Sequence, residues 1–387
     1  MNKFYADDKH VRALGRTVVH DSARYLSWSC SGVEFVFKGT HLSAELWTDW
    51  TFDEPWKEIF QPWAAVFVNG ESEPRKRFPV KEGTNSYVLY ESDTDEEVVI
   101  RFAKLSEAAF SKMSIVSISA DGEIRPAEPK ARRMEFIGDS ITCGFGIESK
   151  SAEDNFRTAE ENSDITYAAL TAKAFGADFN LISWSTIGVW SSDTKDDTRN
   201  SGWIMPMIYD AADVGIEGVT DRTPWDFGNF VPDVIVVNLG TNDASYTKGI
   251  TERQEEFFSA YRDFIAEVRK KNPNSYIVCA LGMMGAELFP AIEKAVSDLS
   301  DEKIFALELD GQLEADGTGS GGHPNAVTHK KAAEKLMGKI SEYRSGSGSW
   351  RPSGLSSRRR KRRSRPSAAR SAKIRCGLRR SSSRRAS

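Results

Sequence analysis

The sequence predicts two domains of different class, an all-β domain followed by an α/β domain with a doubly wound, flavodoxin-like parallel sheet. Three observations support this. The 387 residues exceed the usual length of one domain. Short strand-like runs follow one another up to about residue 122, and strands alternate with helices after residue 130. We expect a β-sandwich or jelly-roll domain over residues 1–125, an α/β domain over 130–343 and a tail over 344–387.

Apolar and β-branched runs mark the strands of the N-terminal domain. They occupy residues 33–38, 41–47, 64–68, 98–102 and 113–118. Asn69-Gly70 after the third run is a strong hairpin signal, and strands at this spacing are typical of a sandwich or jelly roll. Several aromatic residues near the loops predict either a sugar-binding platform or packing in the core and at the domain interface. They are Trp50, Phe52, Trp56, Phe60 and Trp63.

Residues 123–132 carry two prolines among charged residues and predict a linker. Beyond it, strands are predicted at residues 134–137, 179–184, 234–239, 275–281 and 304–309. Helices are predicted at residues 164–175, 251–271 and 325–343. Asp164 is the expected cap of the first helix, Gly176 the glycine at its end, and residues 251–254 resemble a capping box.

The net charge of −4 conceals an uneven distribution. Residues 344–387 contain 16 Arg or Lys and no acidic residue, whereas residues 1–343 contain 36 basic and 56 acidic residues. The Ser- and Arg-rich composition of the tail predicts disorder. A basic tail is able to bind nucleic acid, but we interpret this one as an extension without a selected role, so no nucleic-acid partner is expected.

Several classes of protein are not indicated. The four cysteines are widely spaced and match neither a zinc-ligand pattern nor a disulfide framework. No apolar segment typical of a secretory signal follows Met1, and no run of about 18 apolar residues occurs. We therefore expect a cytoplasmic protein without a membrane span.

A serine directly follows the first strand of the α/β domain. Residues 134–137 run into Gly138-Asp139-Ser140. A serine at the end of a buried strand is where a hydrolase would present a nucleophile, although Gly, Asp and Ser are also ordinary turn residues. The interpretation therefore needs a base and oxyanion donors elsewhere in the chain.

Two other stretches offer these partners. Asn242 lies in a polar turn that leaves the strand at 234–239, and His323 lies in a glycine-rich loop before the last helix. The carboxyl ends of strands in a doubly wound sheet line one crevice, so we expect these segments to converge. A serine hydroxyl needs a base to accept its proton, and a tetrahedral intermediate needs hydrogen-bond donors. The Ser140 N–H, the Asn242 amide and a glycine N–H from the loop after Trp184 are candidates.

Together these segments resemble the four sequence blocks of the SGNH (GDSL) hydrolases. The blocks are Gly138-Asp139-Ser140-Ile141, Gly188, Gly240-Thr241-Asn242-Asp243 and His323-Pro324-Asn325. Residues 10–343 resemble carbohydrate esterase family 2, which joins a jelly-roll domain to an SGNH domain. The resemblance implies an acetyl xylan esterase that removes O-acetyl groups from xylo-oligosaccharides or other acetylated saccharides, without a metal or other cofactor.

The resemblance also implies roles for individual residues. Ser140 would be the nucleophile and His323 the general base, while the Ser140 N–H, the Gly188 N–H and Asn242 would form the oxyanion hole. Trp190 is a candidate for stacking on a sugar, or a rim residue. Two other functions stay open, namely a lipase or thioesterase acting on other acyl esters and a carbohydrate-binding protein without activity. A homo-oligomer is compatible with the sequence.

One departure from the family concerns the group that orients His323. SGNH enzymes commonly place an Asp two or three residues before the histidine, where this chain has Gly321 and Ser320. The orienting group is therefore a backbone carbonyl, giving a Ser-His dyad, or a more distant acid such as Asp316. We expect Asp139 and Asp243 to support their own turns through hydrogen bonds.

Overall fold

The computed structural model describes residues 1–49, 53, 56–214, 222–343 and 350–352. The β-rich part and the α/β part belong to one unit, which contains all of the described residues. Trp50, Phe52 and nearly all of the basic tail lie outside the described residues.

Ten antiparallel strands form one curled sheet in the N-terminal part. They are β1 Asn2–Phe4, β2 Arg12–Leu14, β3 Thr17–His20, β4 Ala23–Leu26, β5 Gly32–Thr48, β6 Trp63–Val68, β7 Lys76–Pro79, β8 Gly83–Lys104, β9 Met113–Ala120 and β10 Glu123–Pro126. The long strands β5 and β8 pair with register shifts near Gly39 and Leu42, and such irregularities bend a sheet. The sheet thus curls around its own apolar core, which includes Phe35, Phe37 and Phe102, and the predicted class is confirmed.

Of two local predictions for this domain, one is confirmed and one is wrong. The hairpin predicted at Asn69-Gly70 is present, because β6 pairs antiparallel with β7 and both residues have positive φ, although β7 begins only at Lys76 and the connection is therefore longer than two residues. The linker prediction is wrong for residues 123–126. These residues form β10, because Ile124 pairs with Phe37 of β5 and continues the sheet.

Five parallel strands form the sheet of the α/β part, in the order β12-β11-β13-β14-β15. They are β11 Arg132–Gly138, β12 Ala177–Ser183, β13 Val234–Asn238, β14 Tyr276–Leu281 and β15 Ile304–Glu308. This order, with the first strand of the domain between the second and the third, is the flavodoxin-like order of doubly wound sheets. The predicted fold class is confirmed.

Helices cover both faces of this sheet. They are α1 Ser140–Cys143, α2 Tyr167–Ala174, α3 Met205–Ile208, α4 Thr241–Thr247, α5 Thr251–Lys271, α6 Phe289–Leu299 and α7 Ala326–Tyr343. Alternate residues of β13 pack on opposite sides: Ile235 joins the core beneath α5 and α6, and Val236 joins the core beneath α2 and α7. None of the described helices is long and apolar enough to cross a membrane.

Two predicted helix caps are wrong. Helix α2 is capped by Thr166, whose hydroxyl accepts the Ala169 N–H at 3.4 Å. Asp164 instead forms ion pairs with Arg101 and Lys173, which draw it away from the helix start. Helix α5 has the predicted bounds, but Ile250 occupies its N-cap position without a side-chain cap, so residues 251–254 form no capping box.

Candidate active site

Ser140 and His323 meet at the carboxyl edge of the parallel sheet. Ser140 is the first residue of α1, directly after β11, and its Oγ lies 2.9 Å from Nε2 of His323. A Cβ at Gly138 would lie 2.0 Å from Oγ1 of Thr142, so only glycine lets this one-turn helix fold back so closely on the strand. Ser140 is 7% exposed, which leaves its hydroxyl in a largely dry environment.

A main-chain carbonyl orients the imidazole. Nδ1 of His323 lies 3.2 Å from the carbonyl oxygen of Ser320, and a carbonyl only accepts, so Nδ1 carries the proton. The lone pair of Nε2 then faces the Ser140 hydroxyl and is able to accept its proton. Burial lowers the pKa of His323 below its ordinary value, which favours the neutral, basic ring.

The distant acid considered above has other partners. The Asp316 carboxylate pairs with Nζ of Lys331 at 2.5 Å, and its backbone carbonyl accepts from the Asn325 amide at 2.6 Å. Of the two arrangements left open by the sequence, the structure therefore shows the one with a backbone carbonyl.

Asn242 lies between the serine turn and the loop that carries Gly188. Its Nδ2 donates to the carbonyl of Ile187 at 2.9 Å and to Oδ2 of Asp139 at 3.2 Å. The Gly188 N–H donates to Oγ of Ser192 at 3.3 Å, a long bond. The structure thus brings the predicted segments together at one sheet edge, while the oxyanion role of Asn242 and Gly188 stays a prediction.

The loop of residues 184–191, which we call the Gly188 loop, is held by a buried carboxylate. Oδ1 of Asp243 accepts the N–H groups of Trp190 and Ser191 at 2.7 and 2.9 Å, and Oδ2 accepts that of Val189 at 3.0 Å. Burial raises the pKa of Asp243 to about 6, although these hydrogen bonds act in the opposite direction. A Cβ at Gly188 would lie 2.0 Å from the Ser191 carbonyl oxygen, so the loop also requires glycine.

Asp139 serves its own turn, as expected. Its Oδ1 accepts the Ile141 N–H at 3.0 Å and caps α1. Burial raises the pKa of Asp139 to about 7. Asp243 was also expected to support its own turn, but its main partners are N–H groups of the Gly188 loop. Nothing in the local sequence indicates that this carboxylate contacts that loop.

Trp190 belongs to the Gly188 loop and is partly buried against the core of the α/β part. The guanidinium carbon of Arg199 lies 3.6 Å from the centre of its ring, so one ring face is covered. Trp190 also lines a cavity of about 410 Å³ with Tyr209 and Phe264, whose lining residues do not include Ser140 or His323. Its proposed contact with a sugar stays a prediction.

An aromatic stack adjoins the catalytic histidine candidate. The ring centre of Phe145 lies 4.4 Å from that of His323, with a tilt of 36°. Phe145 in turn stacks on Phe156 at 3.6 Å. The only signal of this contact in the sequence is weak, namely the position of Phe145 between two glycines just after the Gly-Asp-Ser turn.

The stack continues into the N-terminal domain. Phe156 packs against Phe110 at 5.2 Å, and Phe110 stacks on Phe60 at 4.9 Å. Trp56 stacks on Phe60 and remains 54% exposed, whereas Trp63 lies partly buried beneath Arg77. Phe60 thus packs at the domain interface, which was one of the two predicted uses of these aromatic residues, and Trp56 presents an open ring.

A Ser-His pair at the carboxyl edge of a flavodoxin-like sheet, beside an asparagine from the helix that follows the neighbouring strand β13, defines a serine hydrolase of the GDSL type. Residues 136–331 match the GDSL-like Lipase/Acylhydrolase family, and residues 13–129 match the Carbohydrate esterase 2 N-terminal family. With both domains matched in this order, the chain belongs to family 2 of the carbohydrate esterases.

Individual relatives agree with this assignment. The chain is 32% identical over 325 residues to Cellulase/esterase CelE of Acetivibrio thermocellus, covering 81% of this chain but only 37% of the length of that protein. It is 25% identical to an Acetylxylan esterase / glucomannan deacetylase of Cellvibrio japonicus, covering 86% of this chain and 88% of the relative.

Solved structures show the same two-domain arrangement. A family two carbohydrate esterase from Clostridium thermocellum in complex with cellohexaose is 30% identical, with a TM-score of 0.73 over 86% of this chain and 98% of that one. An acetyl xylan esterase from the rumen bacterium Butyrivibrio proteoclasticus is 26% identical, with a TM-score of 0.76 over 88% of this chain and 98% of that one.

Proposed function

We propose that the protein is a serine esterase that removes O-acetyl groups from xylo-oligosaccharides or other acetylated saccharides through an acetyl-serine intermediate. The observation that carries this proposal is the 2.9 Å contact between Ser140 Oγ and His323 Nε2, with the imidazole oriented by Ser320. The saccharide part of the proposal rests on the family and on relatives named as acetylxylan esterases.

The geometry supports a two-step reaction. His323 Nε2 accepts the hydroxyl proton while Ser140 Oγ attacks the acetyl carbonyl carbon, and the protonated ring then gives that proton to the departing sugar oxygen. In the second step His323 Nε2 deprotonates a water that attacks the acetyl carbon. The bond from that carbon to Ser140 Oγ then breaks, the protonated ring returns the proton to Oγ, and acetate is released. The Ser320 carbonyl keeps the ring in the required tautomer throughout.

The oxyanion would be bound by the Ser140 N–H, the Gly188 N–H and the Asn242 amide. In this structure the Gly188 N–H makes a long bond, and the Asn242 amide bonds to Ile187 and Asp139. The two groups would exchange these partners for the developing negative charge, which accepts hydrogen bonds more strongly than a neutral oxygen. Catalytic hydrogen bonds of this kind often tighten only when substrate is bound.

A lipase or thioesterase is the competing function, and chain-length preference separates the two. The exposed ring of Trp56, next to the aromatic stack that reaches His323, favours a sugar, because sugar rings pack well on aromatic faces. We expect p-nitrophenyl acetate to be hydrolysed with a higher kcat/KM than the octanoate or palmitate ester. A preference for the long chains would refute the deacetylase assignment.

A carbohydrate-binding protein without activity is distinguished by Ser140→Ala. If the protein only binds saccharides, wild type and variant will show the same negligible ester hydrolysis and the same saccharide affinity. A role in xylan degradation and a cytoplasmic location stay predictions. Acetate release from intact acetylated xylan and fractionation of the source cells would test them.

A further inference from the structure

Glu107 of the N-terminal domain contacts the Gly188 loop at its other end. It lies in the turn between β8 and β9 and is fully buried. Its Oε2 accepts the Ser185 N–H at 2.7 Å, and its Oε1 accepts the Ser185 hydroxyl. Ser185 in turn follows Trp184, whose carbonyl accepts the Ile187 N–H at 3.3 Å and so closes a turn directly before Gly188.

The turn that carries Glu107 is itself fixed from within. The buried Lys104 ammonium donates to three backbone carbonyls, those of Ser27, Ser106 and Glu107, at 3.1, 2.6 and 2.8 Å. The Glu107 N–H donates to Oε2 of Glu161 in the α/β domain at 3.1 Å. Donors and acceptors from both domains therefore determine where the Glu107 carboxylate lies.

Three ionisable side chains of this cluster lie together out of contact with solvent. Lys104, Glu107 and Glu161 are all fully buried, and one ammonium balances one carboxylate. Burial raises the pKa of the Glu107 carboxyl, while the two hydrogen bonds that it accepts from Ser185 act in the opposite direction and favour its charged form. Burial and the neighbouring charge of Glu107 raise the pKa of Glu161 well above its ordinary range, which makes Glu161 the protonated partner.

We propose that Glu107 is a positioning residue for the esterase reaction, through which the N-terminal domain fixes the Gly188 loop beside Ser140. This inference rests on the proposed function. Asp243 holds residues 189–191 from the α/β domain, and Glu107 holds Ser185 from the β-domain. Gly188 lies between these two anchors. The β-domain thereby becomes part of the catalytic machinery rather than an attached binding module.

The proposal predicts that activity depends more on the length of the side chain at position 107 than on its charge. Glu107→Gln keeps an acceptor at the same distance from Ser185 but removes the charge, whereas Glu107→Asp keeps the charge but withdraws it by one methylene group. We expect Gln to retain activity within about threefold, and Asp to lose about 10- to 100-fold in kcat with KM nearly unchanged. The loss approaches the effect of removing one oxyanion donor, about 10² to 10³.

Asp178 offers a matched control. It is also a buried carboxylate at the domain interface, and it accepts the Lys130 N–H at 2.9 Å and a hydrogen bond from Arg12 at 2.6 Å. It lies near the opposite end of strand β12 from the Gly188 loop. We expect Asp178→Asn to lower the melting temperature without changing kcat by more than about threefold.

The decisive measurement is the rate at which a small p-nitrophenyl phosphonate labels Ser140 in each variant. Phosphonylation places negative oxygen in the oxyanion hole but needs no acetyl ester, so it reports on the loop even if the natural substrate is another ester. We expect Glu107→Asp to react about 10- to 100-fold more slowly than wild type and Glu107→Gln within about threefold. Circular dichroism at the assay temperature verifies that both variants are folded.

Several results would overturn the proposal. They are a normal labelling rate for Glu107→Asp, a slower rate for Gln than for Asp, an equal loss in Asp178→Asn, and a wild-type Ser140 that is not labelled. Glu107, Cys143 and Glu161 also offer ligand atoms within 4.8 Å of one another. If purified wild type contains one divalent ion per chain and Glu107→Gln contains none, the cluster is a metal site and the proposal is wrong. Slow acetyl-ester hydrolysis with normal labelling would instead refute the proposed substrate alone.

Discussion

Replacing Asp316 by asparagine tests whether the catalytic unit is a dyad. In Ser-His-Asp enzymes the same change to the acid lowers kcat by about 10⁴, or about 5.5 kcal/mol of transition-state stabilisation. Here the Asp316 carboxylate pairs with Lys331, while His323 Nδ1 faces the Ser320 carbonyl. A surface ion pair of this kind contributes about 0.2 to 1 kcal/mol to stability. We therefore expect a small loss of stability and a kcat within about threefold of wild type.

The assay is initial-rate hydrolysis of p-nitrophenyl acetate, with kcat and KM determined separately and the fold monitored by circular dichroism. Asp310→Asn is the control for losing an ion pair to helix α7, since Asp310 pairs with Lys335 at 2.6 Å, although its side chain is far more exposed than that of Asp316. His323→Ala serves as the positive comparison and should lose at least about 10³-fold in kcat. A loss of about 100-fold or more in folded Asp316→Asn, with Asp310→Asn unaffected, would refute the dyad.

Three further changes should affect the same site. Burial lowers the pKa of His323, and only the neutral ring is able to act as the base. We therefore expect kcat/KM to fall on acidification, with a midpoint below about 6.5. A midpoint above about 7 would contradict this prediction. Asp243→Ala removes the acceptor of three backbone N–H groups of the Gly188 loop, and each buried N–H left without a partner costs about 1 to 3 kcal/mol. We therefore expect both kcat and the melting temperature to fall. An unchanged kcat would show that the loop does not need this carboxylate. Gly188→Ala places a Cβ against the Ser191 carbonyl oxygen. We expect kcat to fall about 10-fold or more in a stopped-flow assay with p-nitrophenyl acetate. Full activity would mean that the loop accommodates the methyl group by moving.

The residues at strand ends were predictable because the fold constrains them. Once the chain is known to form a parallel sheet, Ser140 and Asn242 must lie at its carboxyl edge, since each directly follows a buried strand. His323 was found by a different route, as the one of five histidines that lies in a loop at a plausible junction between a strand and a helix. The bounds predicted for helices α2, α5 and α7 were also close to the observed ones, because apolar periodicity and a glycine at a helix end are local signals.

The parts of the site that could not be predicted depend on long-range contacts or on the main chain. The Ser320 carbonyl has no side-chain signature, so the sequence left the partner of the imidazole open. Glu107 reaches Ser185 from 78 residues away and from the other domain. Asp164 looked like a helix cap and instead pairs with Arg101 of the other domain, a partner that no local pattern indicates.

Acetate release from defined acetylated xylo-oligosaccharides, by wild type and by Ser140→Ala, tests the central claim most directly. The contact between Ser140 and His323 predicts that wild type releases one acetate for each O-acetyl group it can reach, and that the variant loses about 10⁴-fold or more of that rate while still binding the saccharide. Equal rates for the two proteins, or no acetate released by folded wild type, would contradict the account.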